Sequence, residues 1–251
     1  MSKKVIIANW KVNPPSVKEA VLLAQKTERE ISKSRNVEVI IAPPFPFLAA
    51  VGGVLKKSKL GAQDAFWTDG PYTGEVSPTQ LKNIGAKYII LGHSERKIHL
   101  GETDSLINKK VHAVLESGLG AILCVGERER VGSEIPQIVG EQLKNALKNT
   151  KTGLVKNLVV VYEPIWAIST MPGAKSDTPD SAFRALLYIR RVLSELYGRR
   201  TADTIRILYG GSVNSANAGG FIHEGKMQGA LVGGASLKPK EFALIVREVS
   251  R

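Results

Sequence analysis

The sequence predicts an α/β fold, a closed (β/α)8 barrel formed by residues 1–251 as one domain, and three observations support this. Eight short apolar runs, most of them rich in β-branched residues, recur along the whole chain. Stretches with helical periodicity fill most of the gaps between them. Runs such as Leu158-Val159-Val160-Val161 are apolar without alternation, as in strands covered on both faces, so the strands are parallel and their crossovers helical.

In chain order the expected strands are Val5 to Ala8, Val37 to Ala42, Leu60 to Ala62, Tyr88 to Leu91, Ala121 to Val125, Leu158 to Tyr162, Ile205 to Tyr209 and Ala230 to Val232. Among the crossovers, Ser16 to Ser32 places Val17, Ala20, Val21, Ala24 and Ile31 on one helical face. Pro179 to Tyr197 does the same with Ala182, Leu186, Ile189 and Leu193. A doubly wound open sheet is the alternative topology, but no Gly-x-Gly-x-x-Gly turn follows the first strand. No Ser/Gly-rich, Pro-rich or low-complexity stretch marks a linker between halves.

With 251 residues, 43% hydrophobic and 23% charged, the chain can bury a substantial core without disulfides or a structural metal. Its single cysteine, Cys124, lies in an apolar run and reads as a core residue. Only four apolar residues separate Lys4 from Asn9, too few for a signal peptide, and no segment has the length to span a bilayer. A cytoplasmic setting is expected, with no membrane partner. The net charge of +12 favours anionic partners, which are nucleic acid, an acidic membrane or a phosphorylated metabolite. Basic pairs such as Lys56-Lys57, Lys109-Lys110 and Arg199-Arg200 are scattered and belong to no binding module, so they read as solvated surface and no nucleic-acid partner is expected.

The residues just after the strands point to chemistry. Strand one ends in Asn9-Trp10-Lys11, strand four in Gly92-His93-Ser94-Glu95-Arg96, strand six in Glu163-Pro164, strand seven in Gly210-Gly211-Ser212 and strand eight in Gly233-Gly234. In a parallel barrel these positions share one rim, where loops vary over a fixed scaffold. The two glycine pairs are expected to open helices and to offer backbone N–H groups to a phosphate. Glu163, at the end of an apolar run, is expected in a desolvated pocket where its basicity rises, a helix cap or salt bridge being the alternative. His93 is expected at a helix N-terminus, which keeps its ring neutral. His99, His112 and His223 read as satisfied polar residues. Lys11 supplies positive charge and Asn9 an amide donor. Neither metal-ligand spacing nor a Gly-x-Ser-x-Gly elbow occurs, so neither zinc chemistry nor serine hydrolysis is supported. This set suits proton transfer beside a carbonyl. Another barrel enzyme acting on a sugar phosphate, or a nucleic-acid-binding protein, remain the rival readings.

Several motifs, in order, give the chain a resemblance to a known family. They are Asn9-Trp10-Lys11, Ala62-Gln63, Tyr72-Thr73-Gly74-Glu75-Val76-Ser77, Leu91-Gly92-His93-Ser94-Glu95-Arg96, Cys124-Val125-Gly126-Glu127, Tyr162-Glu163-Pro164-Ile165-Trp166-Ala167-Ile168, Tyr209-Gly210-Gly211-Ser212-Val213 and Leu231-Val232-Gly233-Gly234-Ala235-Ser236-Leu237. From end to end the chain resembles the triosephosphate isomerases, whose fold is the TIM barrel. The resemblance implies cofactor-free and metal-free interconversion of dihydroxyacetone phosphate and glyceraldehyde 3-phosphate. It implies Glu163 as base, His93 as electrophile, Lys11 and Asn9 as substrate-binding and oxyanion-stabilising groups, and Glu95 as their supporting carboxylate. Ser169, Ser212, Gly233 and Gly234 match backbone donors to phosphate. A homodimer, or a higher oligomer, is implied, with Thr73 at the interface.

The segment after Trp166 resembles the family's mobile lid. It departs from the family in having Ser169 where glycine is usual and about three more residues before Pro179. Lys97 stands where arginine is frequent.

Overall fold

The computed structural model describes Lys3 to Ser250. Eight parallel strands close into a barrel in sequence order, each paired with its neighbours and β8 returning to β1. They are β1 (Lys4–Asn9), β2 (Val37–Ala42), β3 (Lys59–Ala62), β4 (Tyr88–Leu91), β5 (Gly120–Val125), β6 (Leu158–Tyr162), β7 (Arg206–Tyr209) and β8 (Gly229–Val232). The expected strands are all present, with no end shifted by more than one residue. Ile205 falls outside β7, its N–H turned to the Ala202 carbonyl.

The crossovers contain α1 (Val17–Ile31), α2 (Leu48–Gly52), α3 (Pro78–Ile84), α4 (Ser94–Leu100), α5 (Asp104–Glu116), α6 (Gln137–Ala146), α7 (Pro179–Tyr197), α8 (Arg199–Ala202), α9 (Ala218–His223) and α10 (Pro239–Ser250). Local chemistry sets their starts. Ser16 caps α1 by accepting the Glu19 N–H, and Ser77 and Gln80 form a reciprocal capping box on α3. Thr178 caps α7, with Pro179 at its first position, where a missing N–H costs nothing. The buried face of α1 is Ala20, Ala24, Thr27, Glu28 and Ile31. Val17 and Val21 correct the sequence expectation: Val17 is 48% exposed and Val21 only partly covered, the buried stripe running instead through Thr27 and Glu28. On α7 Ala182, Ile189 and Leu193 are buried as expected, while Leu186 is only partly covered.

Two apolar layers explain why the strands read as continuous hydrophobic runs. Val5, Ile7, Ile40, Ile90, Ile122, Val159, Val161 and Leu231 pack inside the barrel, together with the fully buried Cys124. The alternate residues, such as Ile6, Ala8, Val39 and Ile41, face outward against the helices. Each large side chain so buried contributes about 1.5–3 kcal/mol relative to exposure, which fixes the strand ends that carry the polar residues. Among the described residues no helix is long and apolar enough to cross a membrane.

Candidate active site

At the carboxyl end of the barrel lies a cavity of about 430 Å³, within the range of small-molecule sites. Asn9, Lys11, His93, Glu163, Ser169, Ser212, Gly233 and Gly234 all line it. Glu95 stands behind this lining and is joined to it through Lys11.

Glu163 follows β6 and is only 3% exposed. Its Oε1 lies 2.9 Å from His93 Nε2, and its Oε2 accepts the Ser94 N–H at 2.9 Å. His93 is the cap of α4: Nδ1 accepts the Glu95 N–H at 3.3 Å, which in the neutral ring leaves the proton on Nε2, facing the carboxylate. Burial alone would raise Glu163, but His93 and the Ser94 N–H outweigh it and hold the carboxyl below its ordinary range. Burial alone would lower His93, and Glu163 outweighs it to hold the imidazole above its ordinary range. Glu163 is thus held below its ordinary range where the sequence led to a raised carboxylate, and His93 is held above its ordinary range although it caps a helix N-terminus. The helix contact is present, but nothing in the linear sequence placed the two side chains against each other.

Lys11 has a left-handed backbone, φ +53, uncommon for a side-chain-bearing residue. The conformation is held by three contacts. Its N–H donates to Asn9 Oδ1 at 3.0 Å, its carbonyl accepts Gln63 Nε2 at 2.8 Å, and its ammonium meets Glu95 Oε1 at 2.5 Å. Gln63 also donates to the Ala42 carbonyl at 2.9 Å, so one side-chain amide ties the end of β2 to the turn carrying Lys11. Sequence reasoning included Gln63 in a motif and gave it no role. Lys238, which also lines the cavity, was missed as well; its signal was a cation just beyond the second glycine pair.

The glycine turns differ from expectation in one respect. Gly233 caps the 3-10 turn Gly234–Leu237, as expected of a phosphate cradle. Gly210-Gly211 opens no helix, since α9 begins only at Ala218. Instead Ser212 engages the lid: its hydroxyl accepts the Ser169 N–H at 2.7 Å and donates to the Ala167 carbonyl at 2.8 Å. Ser169 is not among the residues with positive φ, so serine fits this lid conformation without backbone strain, while Gly173 takes the left-handed turn at φ +70. Trp166 Nε1 donates to Glu127 Oε1 at 2.9 Å, and the same oxygen accepts the Tyr162 hydroxyl at 2.7 Å. His112 and His223 contact main-chain carbonyls, in keeping with their reading as satisfied polar residues.

A family model described as triosephosphate isomerase matches residues 4–249. The triosephosphate isomerase of Thermoanaerobacter sp. (strain X514) is 44% identical over 98% of this chain and 99% of its own. That of Dictyoglomus turgidum is 40% identical over 98% of this chain and 100% of its own, and that of Dehalococcoides mccartyi 42% over 100% and 98%. With the barrel, the rim chemistry and the sequence in agreement along its whole length, the chain belongs to the triosephosphate isomerase family.

Proposed function

We propose that the rim interconverts dihydroxyacetone phosphate and D-glyceraldehyde 3-phosphate by proton transfer through an enediolate, with protein groups alone. The observation carrying this reading is the convergence of Glu163, His93, Lys11 and the glycine turns on one cavity.

Glu163 is the base. To reach a substrate carbon its carboxylate leaves His93 Nε2 and the Ser94 N–H, and both depressing contacts are then lost. Burial remains, and the proton affinity of the carboxylate rises at the point where a base is needed. The same movement frees His93 Nε2–H to polarise the substrate carbonyl and removes the carboxylate that raises the proton affinity of the buried ring. Lys11, oriented by Glu95 and Gln63, faces the developing oxyanion together with the Asn9 amide. The phosphate is held by N–H groups of Ser169, Ser212, Gly233 and Gly234. For Ser169 and Ser212 this requires their N–H groups to turn from the Ser212 hydroxyl and the Ala167 carbonyl to the substrate, a change that closes the lid and excludes water from the enediolate.

The chain acts as one domain in the cytoplasm and assembles as an isologous homodimer. Thr73 is exposed on a loop stiffened by the stacked rings of Phe66 and Trp67, 3.7 Å between centroids. Val12, beside Lys11, is 91% exposed, an apolar side chain placed for cover by a second copy. The direct test is turnover of dihydroxyacetone phosphate coupled to a nicotinamide-linked assay of the aldehyde. Absence of turnover in the folded protein would exclude the reading.

A further inference from the structure

Behind the base, on the side away from the cavity, lies a contact chain that the reaction as described does not use. Gln142 of α6 reaches the peptide of Gly126, which follows β5, with both ends of its amide. Its Oε1 accepts the Gly126 N–H at 2.9 Å, and its Nε2 donates to the Gly126 carbonyl at 3.0 Å. Gly126 in turn lies against the main chain of Glu163: a Cβ built on it would stand 1.9 Å from the Glu163 carbonyl oxygen. On either side of that approach, the Glu163 N–H donates to the Val125 carbonyl at 2.8 Å and the Ile165 N–H to the Glu127 carbonyl at 2.9 Å. The position of Gly126 therefore sets that of the Glu163 backbone, with no side chain between them to absorb a displacement.

The third member is Lys97. Its ammonium donates to Gln142 Oε1 at 3.2 Å and to the Cys124 carbonyl at 3.3 Å. Among the described residues it meets no carboxylate within salt-bridge distance, and burial lowers its proton affinity. Lys97 belongs to α4, the helix capped by His93 and bearing Ser94 and Glu95. One contact chain thus joins the helix of the electrophile to the strand end of the base.

We propose that Gln142 and Lys97 are positioning residues for the isomerisation, clamping the Gly126 peptide so that Glu163 is held in register with His93. The inference rests on the assignment of Glu163 and His93 given above. Neither residue touches the cavity, so the clamp acts on geometry and not on substrate affinity. A misplacement on the order of 1 Å in a reacting group costs about a hundredfold in rate.

Gln142→Leu, Lys97→Met and Lys97→Arg, each assayed with dihydroxyacetone phosphate beside the unsubstituted chain, decide the matter. Gln142→Leu is expected to lower kcat roughly ten- to a hundredfold and Lys97→Met several-fold, with KM changed by less than about twofold in both. Lys97→Arg, which keeps the donors, restores kcat to near the unsubstituted level. Lys97→Met removes the ammonium from the Cys124 carbonyl and from Gln142 Oε1 but leaves both amide contacts of Gln142 with the Gly126 peptide in place, so it remains informative if Gln142→Leu fails to fold. An active parent with kcat unchanged in Lys97→Met, or lowered equally in Lys97→Met and Lys97→Arg, overturns the clamp while leaving the assignment of the base intact. An inactive parent overturns both.

Discussion

The two ends of the barrel each hold a glutamate against hydrogen-bond donors, and the arrangements have opposite consequences. At the amino end Glu38 of β2 receives the Tyr88 hydroxyl at 2.7 Å, Arg206 Nη1 at 2.8 Å and Lys59 Nζ at 2.6 Å. These partners come from the first residues of β3, β4 and β7, and hold the Glu38 carboxyl down at about 2 in spite of its burial. At the carboxyl end Glu163 is more deeply buried and has fewer donors, His93 and one backbone N–H. Nearby Lys11 is committed to Glu95. A carboxylate given several fixed donors from separate strands is an electrostatic plug. A carboxylate given few, with a cavity in front of it, can exchange them for a substrate and gain basicity as it does so.

The largest expected effect separates the two ends. Glu163→Gln keeps the shape and loses the base, so kcat should fall by at least two orders of magnitude, about 3 kcal/mol in the barrier, with KM little changed. Thermal unfolding of that variant should match the parent. Wild-type-like turnover would remove Glu163 from the mechanism.

Next in size is the second copy. Thr73→Arg would place an unpaired charge in the proposed interface and yield weakly active monomers. Sedimentation of a fully active species of unchanged mass would count against the dimer contact.

At the amino end the effect should be on stability alone. Glu38→Gln leaves Arg206 and Lys59 without their counter-charge, and about 1–2 kcal/mol is expected, less than for a fully buried pair because Lys59 stands half in solvent. The linkage has a definite sign. The folded value lies below the unfolded one, so the stabilisation is complete above the ordinary value of 4.5 and is lost as the pH falls toward about 2. Melting temperatures of the parent and Glu38→Gln should therefore converge between those limits, with kcat at neutral pH unaffected. Parallel curves across that window would show that Glu38 is not the plug.

The smallest effect is expected in the lid. Because Ser169 needs no positive φ here, Ser169→Gly should change turnover only a few-fold. Deleting Gly173 to Lys175 should be worse. It removes the left-handed turn and the Lys175 N–H bond to the Trp166 carbonyl, lowering turnover and releasing inorganic phosphate from an exposed enediolate. Normal turnover without phosphate release in the deletion variant would show that the longer lid has no compensating role.

The strands and the rim were legible because a doubly covered strand writes itself as an apolar run and its polar successor then stands at the barrel mouth. Glu163, His93, Lys11 and the second glycine pair were found in this way. Contacts between side chains from distant elements were not legible. The pairing of His93 with Glu163 reversed the expected proton affinities of both. The two carbonyls gathered by Gln63 come from β2 and the turn after β1, and the buried contact of Lys110 with Asp64, at 2.8 Å, unites α5 with the loop after β3. Each such partner is 20 or more positions away in sequence, beyond the reach of periodicity. Val17 shows a simpler limit: helical phase identifies a face but not which of its residues a neighbouring element covers.

The central claim is that Glu163 moves a proton at a substrate carbon, and exchange with solvent tests it most directly. In deuterium oxide, the parent protein incubated with dihydroxyacetone phosphate should introduce deuterium at the carbon flanking the carbonyl, and Glu163→Gln should do so at least a hundredfold more slowly. Deuterium incorporation at the parent rate in the folded Glu163→Gln protein would contradict the account.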